Sequence, residues 1–304
     1  MRAAIVTGAD HGYFPMMHAL LQTLVHARID FANSLCVLDL GLTAEERAAI
    51  EGLGAELVRP GWWFDVPAPL RQQRYLGYAA RPMIPACFPG HDVYLWLDAD
   101  ISVQDGQFVG DFLGHAQDGA LAIVEESDPA YQTELYALRW HIGNAFRCFG
   151  LSDGLRLCLG RPINSGAFAL RADAPHWAAW QRRYRYAVAR AGRVNLDQHA
   201  LMATLRLDGL PASYLPSTHN WICARSLPLW DDHRRIFCRP LPPFEPINVL
   251  HLAGRRKQEV HEIKTLQGGV IAMPLAYARP PSTDAEREDA IPLTRAPAFD
   301  AENA

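Results

Sequence analysis

The chain has 304 residues, 49% of them hydrophobic, enough to bury the core of one large domain. Its 29 Lys and Arg are scattered among 33 Asp and Glu, for a net charge of −4, which excludes the concentrated basic footprint of a nucleic-acid or anionic-membrane binder. No apolar run is long enough for a membrane span, the amino terminus lacks a signal-peptide pattern, and the six cysteines form no C-x-x-C pair; the chain reads as a cytoplasmic protein with packed thiols rather than a disulfide scaffold or zinc site.

In chain order, residues 3–6 read as a buried strand, and Pro15 opens a helix whose Met17, Leu20, Leu21 and Leu24 recur at helical spacing. A strand at 35–40 precedes Thr43-x-x-Glu46, a capping-box start for a helix that stops at Gly52 and Gly54. A strand at 55–58, an aromatic loop at 61–64 and a helix at 81–87 follow. The apolar run Val93-Tyr-Leu-Trp-Leu97 then leads into Asp98-Ala-Asp100, with a further strand at 120–124. This alternation predicts an α/β fold with a mostly parallel sheet. Later, 163–170 reads as a strand, Asp173 as the cap of a helix through Tyr184, 197–205 as a helix and 247–252 as a strand. Without a repeat or an interdomain linker, residues 1–278 read as one domain, followed by a flexible Pro/Ala/acidic tail at 279–304.

The chemistry-bearing residues cluster just after strands, where ligands collect in open α/β sheets. Asp98 and Asp100, two apart on extended backbone, can turn both carboxylates toward one divalent cation. Thr7-Gly-Ala-Asp10-His-Gly-Tyr13 supplies an acid and an aromatic to the first loop, suited to the edge and face of a nucleobase. Neither a P-loop nor a G-x-G-x-x-G dinucleotide fingerprint occurs, which removes support from both enzyme classes. Asn164 and Gly166, poor strand residues, imply close approach of a ligand or a bulge. His251-Leu-Ala-Gly254-Arg-Arg-Lys257 gathers an imidazole and three cations at a strand end, a set suited to metal and diphosphate.

Asp98-Ala-Asp100, Asn164-Ser-Gly166, Asp197-Gln198, Asn220-Trp221 and His251-x-x-Gly254-x-x-Lys257 follow one another in the order and at about the separations of glycosyltransferase family 8, which the chain resembles over roughly residues 3–257. The resemblance implies a Rossmann-like GT-A fold that binds a nucleotide sugar, usually a UDP-hexose, and transfers the sugar to an acceptor, plausibly a saccharide, with retention. It implies Mn²⁺ (or Mg²⁺) held by Asp98, Asp100 and His251. Thr7, Asp10, Tyr13, Arg81, Ala99, Ser165, Gly166, Gly254 and Lys257 would line the donor site, Asn164 and Asp197 would hold sugar hydroxyls, and Gln198 would lie near the anomeric carbon. The sequence departs from the family where Gln258-Glu259, in place of Pro-Trp, follows Lys257, and matches loosely around Arg81-Pro82.

Lys257, with Arg255 or Arg256, would stabilise a diphosphate leaving group. Gln is a poor nucleophile, so front-side attack competes with a covalent route through Glu125, Glu126 or Asp128, and the sequence leaves that choice open. An inverting GT-A transferase, a sugar nucleotidyltransferase and a non-catalytic nucleotide-sugar binder are the alternatives. Trp62, Trp63, Phe64, Tyr131, Tyr136, Trp140 and His141 are the aromatic candidates for stacking on an acceptor.

Overall fold

A computed structural model of the protein describes residues 1–29, 34–133, 135–254, 257 and 259–275. The first eight strands are β1 (Ala3–Ala9), β2 (Leu35–Asp39), β3 (Glu56–Val58), β4 (Val93–Leu97), β5 (Ile101–Val103), β6 (Leu121–Glu125), β7 (Ile163–Arg171) and β8 (Ala212–Leu215). All but β5 join one sheet in the order β3-β2-β1-β4-β7-β6-β8. Every neighbouring pair is parallel except the two that involve β7, which runs against both β4 and β6. The expected mostly parallel sheet is therefore present, with one reversed strand inside it.

That reversal matters for the site. Ligands of a parallel sheet gather beyond the carboxyl ends of the strands, and an antiparallel strand brings its amino end there instead. Leu97 of β4 pairs with Ala167, so Asn164, Ser165 and Gly166 lie beside Asp98, whose N–H donates to the Gly166 carbonyl at 2.7 Å.

Helices cover both faces. Val93, Leu95 and Leu97 of β4 face one core, packed by α1 (Phe14–His26) through Met17, Leu20, Leu21 and Leu24, whereas Tyr94 and Trp96 face the other. The helix α2 (Ala44–Glu51) starts at the expected capping box, both halves of which are formed. The expected helix at 81–87 is a 3₁₀ turn, Arg81–Met83, between two short helices, α3 (Leu76–Ala80) and α4 (Ile84–Cys87). The pattern also missed α5 (Gln107–Ala116) and α6 (Leu135–Cys158), the latter interrupted at Gly150, whose φ of 77° is non-helical. Further along, α7 (His176–Ala191) begins after Pro175; Asp173 is not its cap but binds the Arg171 guanidinium through two 2.9 Å hydrogen bonds. The last α-helix among the described residues, α8 (Asp197–Arg206), packs on α7.

A smaller sheet completes the frame. Strands β9 (Trp221–Ile222), β10 (Leu229–Asp231), β11 (Ile236–Cys238) and β12 (Val249–His251) follow, and β12 lies between β5 and β9. His251 pairs with Ile101 on one side and Ile222 on the other, which seats its imidazole next to Asp100. Two hairpins, β10-β11 and β13 (Val260–Lys264) with β14 (Val270–Pro274), close a third core around Trp221, Trp230 and Phe237. No helix among the described residues is long and apolar enough to cross a membrane. Arg255, Arg256, Gln258 and the expected tail at 279–304 lie outside the described residues.

Candidate active site

A cleft of about 740 Å³ opens at the carboxyl ends of β1 and β4. Asp98 and Asp100 lie on its wall, for a reason other than the one the sequence suggests. The strand ends at Leu97; Asp98, Ala99 and Asp100 form a turn closed by Ile101 N–H to the Asp98 carbonyl at 3.1 Å, so a bend, and not strand alternation, sets the carboxylates side by side.

Each carboxylate has one oxygen tied to a cation. Arg81 Nη2 donates to Asp98 Oδ1 at 2.5 Å, joined there by the Trp96 indole N–H at 2.8 Å, and Lys257 Nζ donates to Asp100 Oδ2 at 2.6 Å. The other oxygens face His251: its Nε2 is 3.9 Å from Asp98 Oδ2 and 3.4 Å from Asp100 Oδ1. One ligand atom from each of the three residues lies within 4.8 Å of the other two. Two carboxylate oxygens and an imidazole nitrogen suit Mn²⁺ or Mg²⁺.

Hydrogen-bond bookkeeping fixes the orientation of that imidazole. Gly166 N–H donates to Asn164 Oδ1 at 2.9 Å, so Asn164 presents its oxygen there and takes a second bond, also 2.9 Å, from Asn220 Nδ2. Asn220 must then offer Oδ1 to His251 Nδ1, 3.0 Å away, and a carboxamide oxygen only accepts. The Nδ1 position therefore carries the proton, and Nε2 turns toward the carboxylates, as a metal-binding histidine requires. Gly166 makes room for the ring: a Cβ there would stand 2.4 Å from His251 Cε1. Of the two readings offered for this segment the bulge is present, since the β6–β7 register jumps from Val124–Asn164 to Ile123–Phe168, and the close approach at Gly166 is made by the protein's own histidine.

Charge in the site is nearly balanced. Arg81 also donates to Asp197 Oδ2 at 2.5 Å, and its guanidinium is clamped near the rings of Tyr78 and Trp96. Three carboxylates face two fixed cations, and although burial opposes it, Asp100 and then Asp98 raise the His251 imidazole above its ordinary range, so that its cationic form offsets the remaining negative charge. Burial raises the Asp98 carboxyl, against the pull of Arg81 and with the push of Asp100. Burial also opposes ionisation of Asp100, but His251 and Lys257 outweigh it and hold that carboxyl well below the ordinary range. A dication would relieve the carboxylate repulsion and leave a positive surface for a diphosphate.

The three acids considered as bases do not line the cleft. Glu126 is fully engaged: Oε1 accepts from Asn164 at 3.0 Å and from Gln198 at 3.3 Å, while Oε2 accepts from Arg225 at 2.6 Å and lies 3.2 Å from His141 Nε2. Against the cost of burial, His141, Asn164 and Arg225 lower its carboxyl to about 2. Glu125 pairs with Arg161, and Asp128 binds Ser217 and Arg239.

Among the remaining expected residues, Asp10, Tyr13, Ala99, Asn164, Ser165, Gly166, Asp197 and Gln198 line the cleft, as do Arg81 and Lys257. Asp10 caps the turn that presents Tyr13, through Oδ1 and the Tyr13 N–H at 3.0 Å. Thr7 and Gly254 do not line it; the Thr7 hydroxyl is buried within the strand layer without a hydrogen-bond partner, so the pocket begins one residue later, at Gly8. Of the aromatic candidates only Trp140 reaches the cleft. Trp62, Trp63 and Phe64 pack on the core, Tyr131 binds the Ile222 N–H, His141 holds Glu126, and Tyr136 is exposed. The sequence reading missed Trp96 and Tyr78, which look like ordinary core residues until Arg81 is seen against them.

No protein-family model and no curated protein matches this sequence. Solved structures do. The chain resembles the galactosyltransferase LgtC in complex with donor and acceptor sugar analogues, at a TM-score of 0.53 and 19% identity over 83% of this chain and 87% of that one. The fold is the GT-A glycosyltransferase fold. An active-site mutant of LgtC matches at a TM-score of 0.52 and 18% identity over the same shares. The bifunctional glycosyltransferase WbbM, in its apo form, matches at 0.52 and 15% identity over 83% of this chain and 46% of that chain. In this GT-A chain the cleft, the Asp98 turn and the reversed strand β7 are parts of one architecture.

Proposed function

We propose that the chain is a cytoplasmic, metal-dependent retaining glycosyltransferase, with residues 1–278 as one catalytic domain, that moves a hexose from a UDP-sugar to a saccharide acceptor. The observation that carries this reading is the convergence of Asp98 Oδ2, Asp100 Oδ1 and His251 Nε2 in a cleft that Asn164, Asp197 and Gln198 also line. Asp98, Asp100 and His251 would hold Mn²⁺ or Mg²⁺, which when bound supplies Lewis-acid stabilisation of the departing diphosphate.

The chain's own groups do the rest. Lys257, partly released from Asp100, donates a charge-assisted hydrogen bond to the diphosphate. Asp10 and Tyr13 meet the base. Asn164 and Asp197 orient sugar hydroxyls, and Gln198 Oε1, held by the Ser165 N–H at 3.3 Å, presents its dipole to the anomeric carbon. Retention is supported by the state of Glu126: all four of its contacts are made, so it is unsuited to serve as the free base that inversion needs or as a nucleophile. The acceptor proton then passes to the leaving phosphate oxygen on the same face.

Proton NMR of the first-formed product from an α-linked UDP-sugar tests the reading. An α-linked product is expected; a β-linked product would refute retention and return the search to a base. A donor screen by hydrolysis across UDP-, GDP- and dTDP-sugars with Mn²⁺ tests the nucleotide assignment, with UDP-sugars expected to turn over fastest.

A further inference from the structure

Cysteine spacing alone argues against a metal cluster, yet the fold gathers three ligand-type side chains at the edge of the main sheet opposite the cleft. Cys36 is the second residue of β2 and Glu56 the first of β3, and the parallel register pairs them directly, so both side chains leave the sheet on the same face. His91, in the turn before β4, comes beside them with Nε2 3.8 Å from Cys36 Sγ. One ligand atom from each of the three lies within 4.8 Å of the other two. Metal bonds of ~2.3 Å to sulfur and ~2.0 Å to nitrogen at a tetrahedral angle set S and N about 3.5 Å apart. The pair thus stands within a few tenths of an ångström of a metal bite.

The surroundings favour an occupant. The Tyr94 ring meets the imidazole edge-on at 5.8 Å and fixes its plane. His91 Nδ1 is buried without a hydrogen-bond partner, and the contact of Nε2 with a thiol is a weak one. A buried imidazole so poorly satisfied is costly. A cation bound at the sulfur-facing Nε2 replaces that weak thiol contact with a strong one, and Nδ1 then carries the ring proton.

We propose that Cys36, Glu56 and His91 form a second metal site, selective for Zn²⁺-type ions, that clips the short edge strand β3 and the entrance of β4 to β2. A sulfur, nitrogen and oxygen set selects Zn²⁺, whereas the oxygen-rich set in the cleft selects Mn²⁺ or Mg²⁺, so the two sites sort ions by ligand chemistry. Glu56 is exposed, which leaves the ion a route in and a fourth position for water. Binding releases the Cys36 thiol proton to solvent. Asp98 lies seven positions beyond His91 along nearly extended chain, so at ~3.3 Å per residue the sites lie roughly 23 Å apart.

Co²⁺, a spectroscopic substitute for zinc, tests this when titrated alone into the reduced, purified chain. One equivalent is expected to produce a near-ultraviolet thiolate-to-cobalt charge-transfer band that Zn²⁺ displaces. The cleft triad contains no thiolate, so Asp100→Asn keeps the band while Cys36→Ser loses it. Glu56→Gln, at an exposed position that spares the core, lowers cobalt affinity about ten-fold and serves as the test if Cys36→Ser does not fold. A wild-type chain without the band, a band that survives Cys36→Ser, or unchanged affinity in Glu56→Gln overturns the proposal and leaves a thiol–imidazole contact only.

Discussion

Asn220 touches neither donor nor acceptor in the proposed chemistry, yet it decides which nitrogen of His251 faces the carboxylates. Asn220→Ala is therefore expected to weaken Mn²⁺ binding by about 10- to 100-fold, measured by calorimetric titration, while the melting temperature shows a folded chain. Unchanged metal affinity would remove the orienting role. Gly166→Ala should act through the same ring, because the added methyl claims the space of His251 Cε1; loss of Mn²⁺ binding is the expected result. Lys257→Ala should lower kcat by more than it raises KM, a loss of about 2 kcal/mol of transition-state stabilisation, since the proposed contact with a diphosphate would strengthen as charge departs. A change confined to KM would make it a ground-state contact. Asp98, Asp100, Asn164, Gly166 and the cluster at residues 251–257 stood out in the sequence because such residues at strand ends are costly without a purpose, whereas Asp197, Gln198 and Asn220 were marked only by the resemblance to a family. Trp96, Tyr78 and the role of Glu126 were not legible there, because what distinguishes them is a partner the sequence does not pair with them: Arg81 for the two rings, and Asn164, Gln198 and Arg225 for the acid.

At the scale of elements, local signals were readable and pairings were not. Thr43-x-x-Glu46 marked the start of α2, and the folded chain forms both reciprocal bonds. Thr43→Ala is expected to lower stability by about 1 kcal/mol in urea denaturation, and an unshifted midpoint would show that the cap is redundant. Strand β4 was legible from its unbroken apolar run, which is what burial on both faces demands. By contrast, nothing in Ile163–Arg171 says that it runs antiparallel to its neighbours, since strand direction is set by connections elsewhere in the chain. The β5-β12-β9 sheet was hidden for the same reason: its three short strands acquire meaning only when paired. Asp173 was assigned as a cap from its position, but Arg171, two residues away, competes for it successfully.

For the molecule as a whole, acid sensitivity follows from two buried groups beneath the cleft. Burial and the neighbouring His141 push the His199 imidazole down to about 3 from an ordinary 6.5. The unfolded chain then binds a proton that the folded one refuses, so stability is full above pH 6.5 and falls as the pH drops from there toward 3. Glu126, held at about 2 from an ordinary 4.5, adds a second decline that begins below pH 4.5 and is complete only below about pH 2. Urea midpoints should accordingly fall between pH 6.5 and 4, and a flat profile over that range would show that His199 does not keep its folded environment. The α/β class and the parallel sheet were legible from the alternation in the first half, where neighbours in sequence are neighbours in space. The second half resisted because its contacts are distant.

The seating of His251 against Asp100 also has a history in time. These residues are 151 positions apart, and closing a loop of that length costs about 4.4 kcal/mol of chain entropy. Strands β1 to β4 are complete well before residue 251 leaves a ribosome, so the nascent chain carries both aspartates long before it can assemble their third partner. In the proposed site, metal competence would in this sense report that the chain through β12 has arrived. On dilution from denaturant, Mn²⁺ binding should appear no earlier than the burial of Trp221, beside which β12 docks, and a chain ending before residue 249 should fold its amino-terminal strands without acquiring the ion.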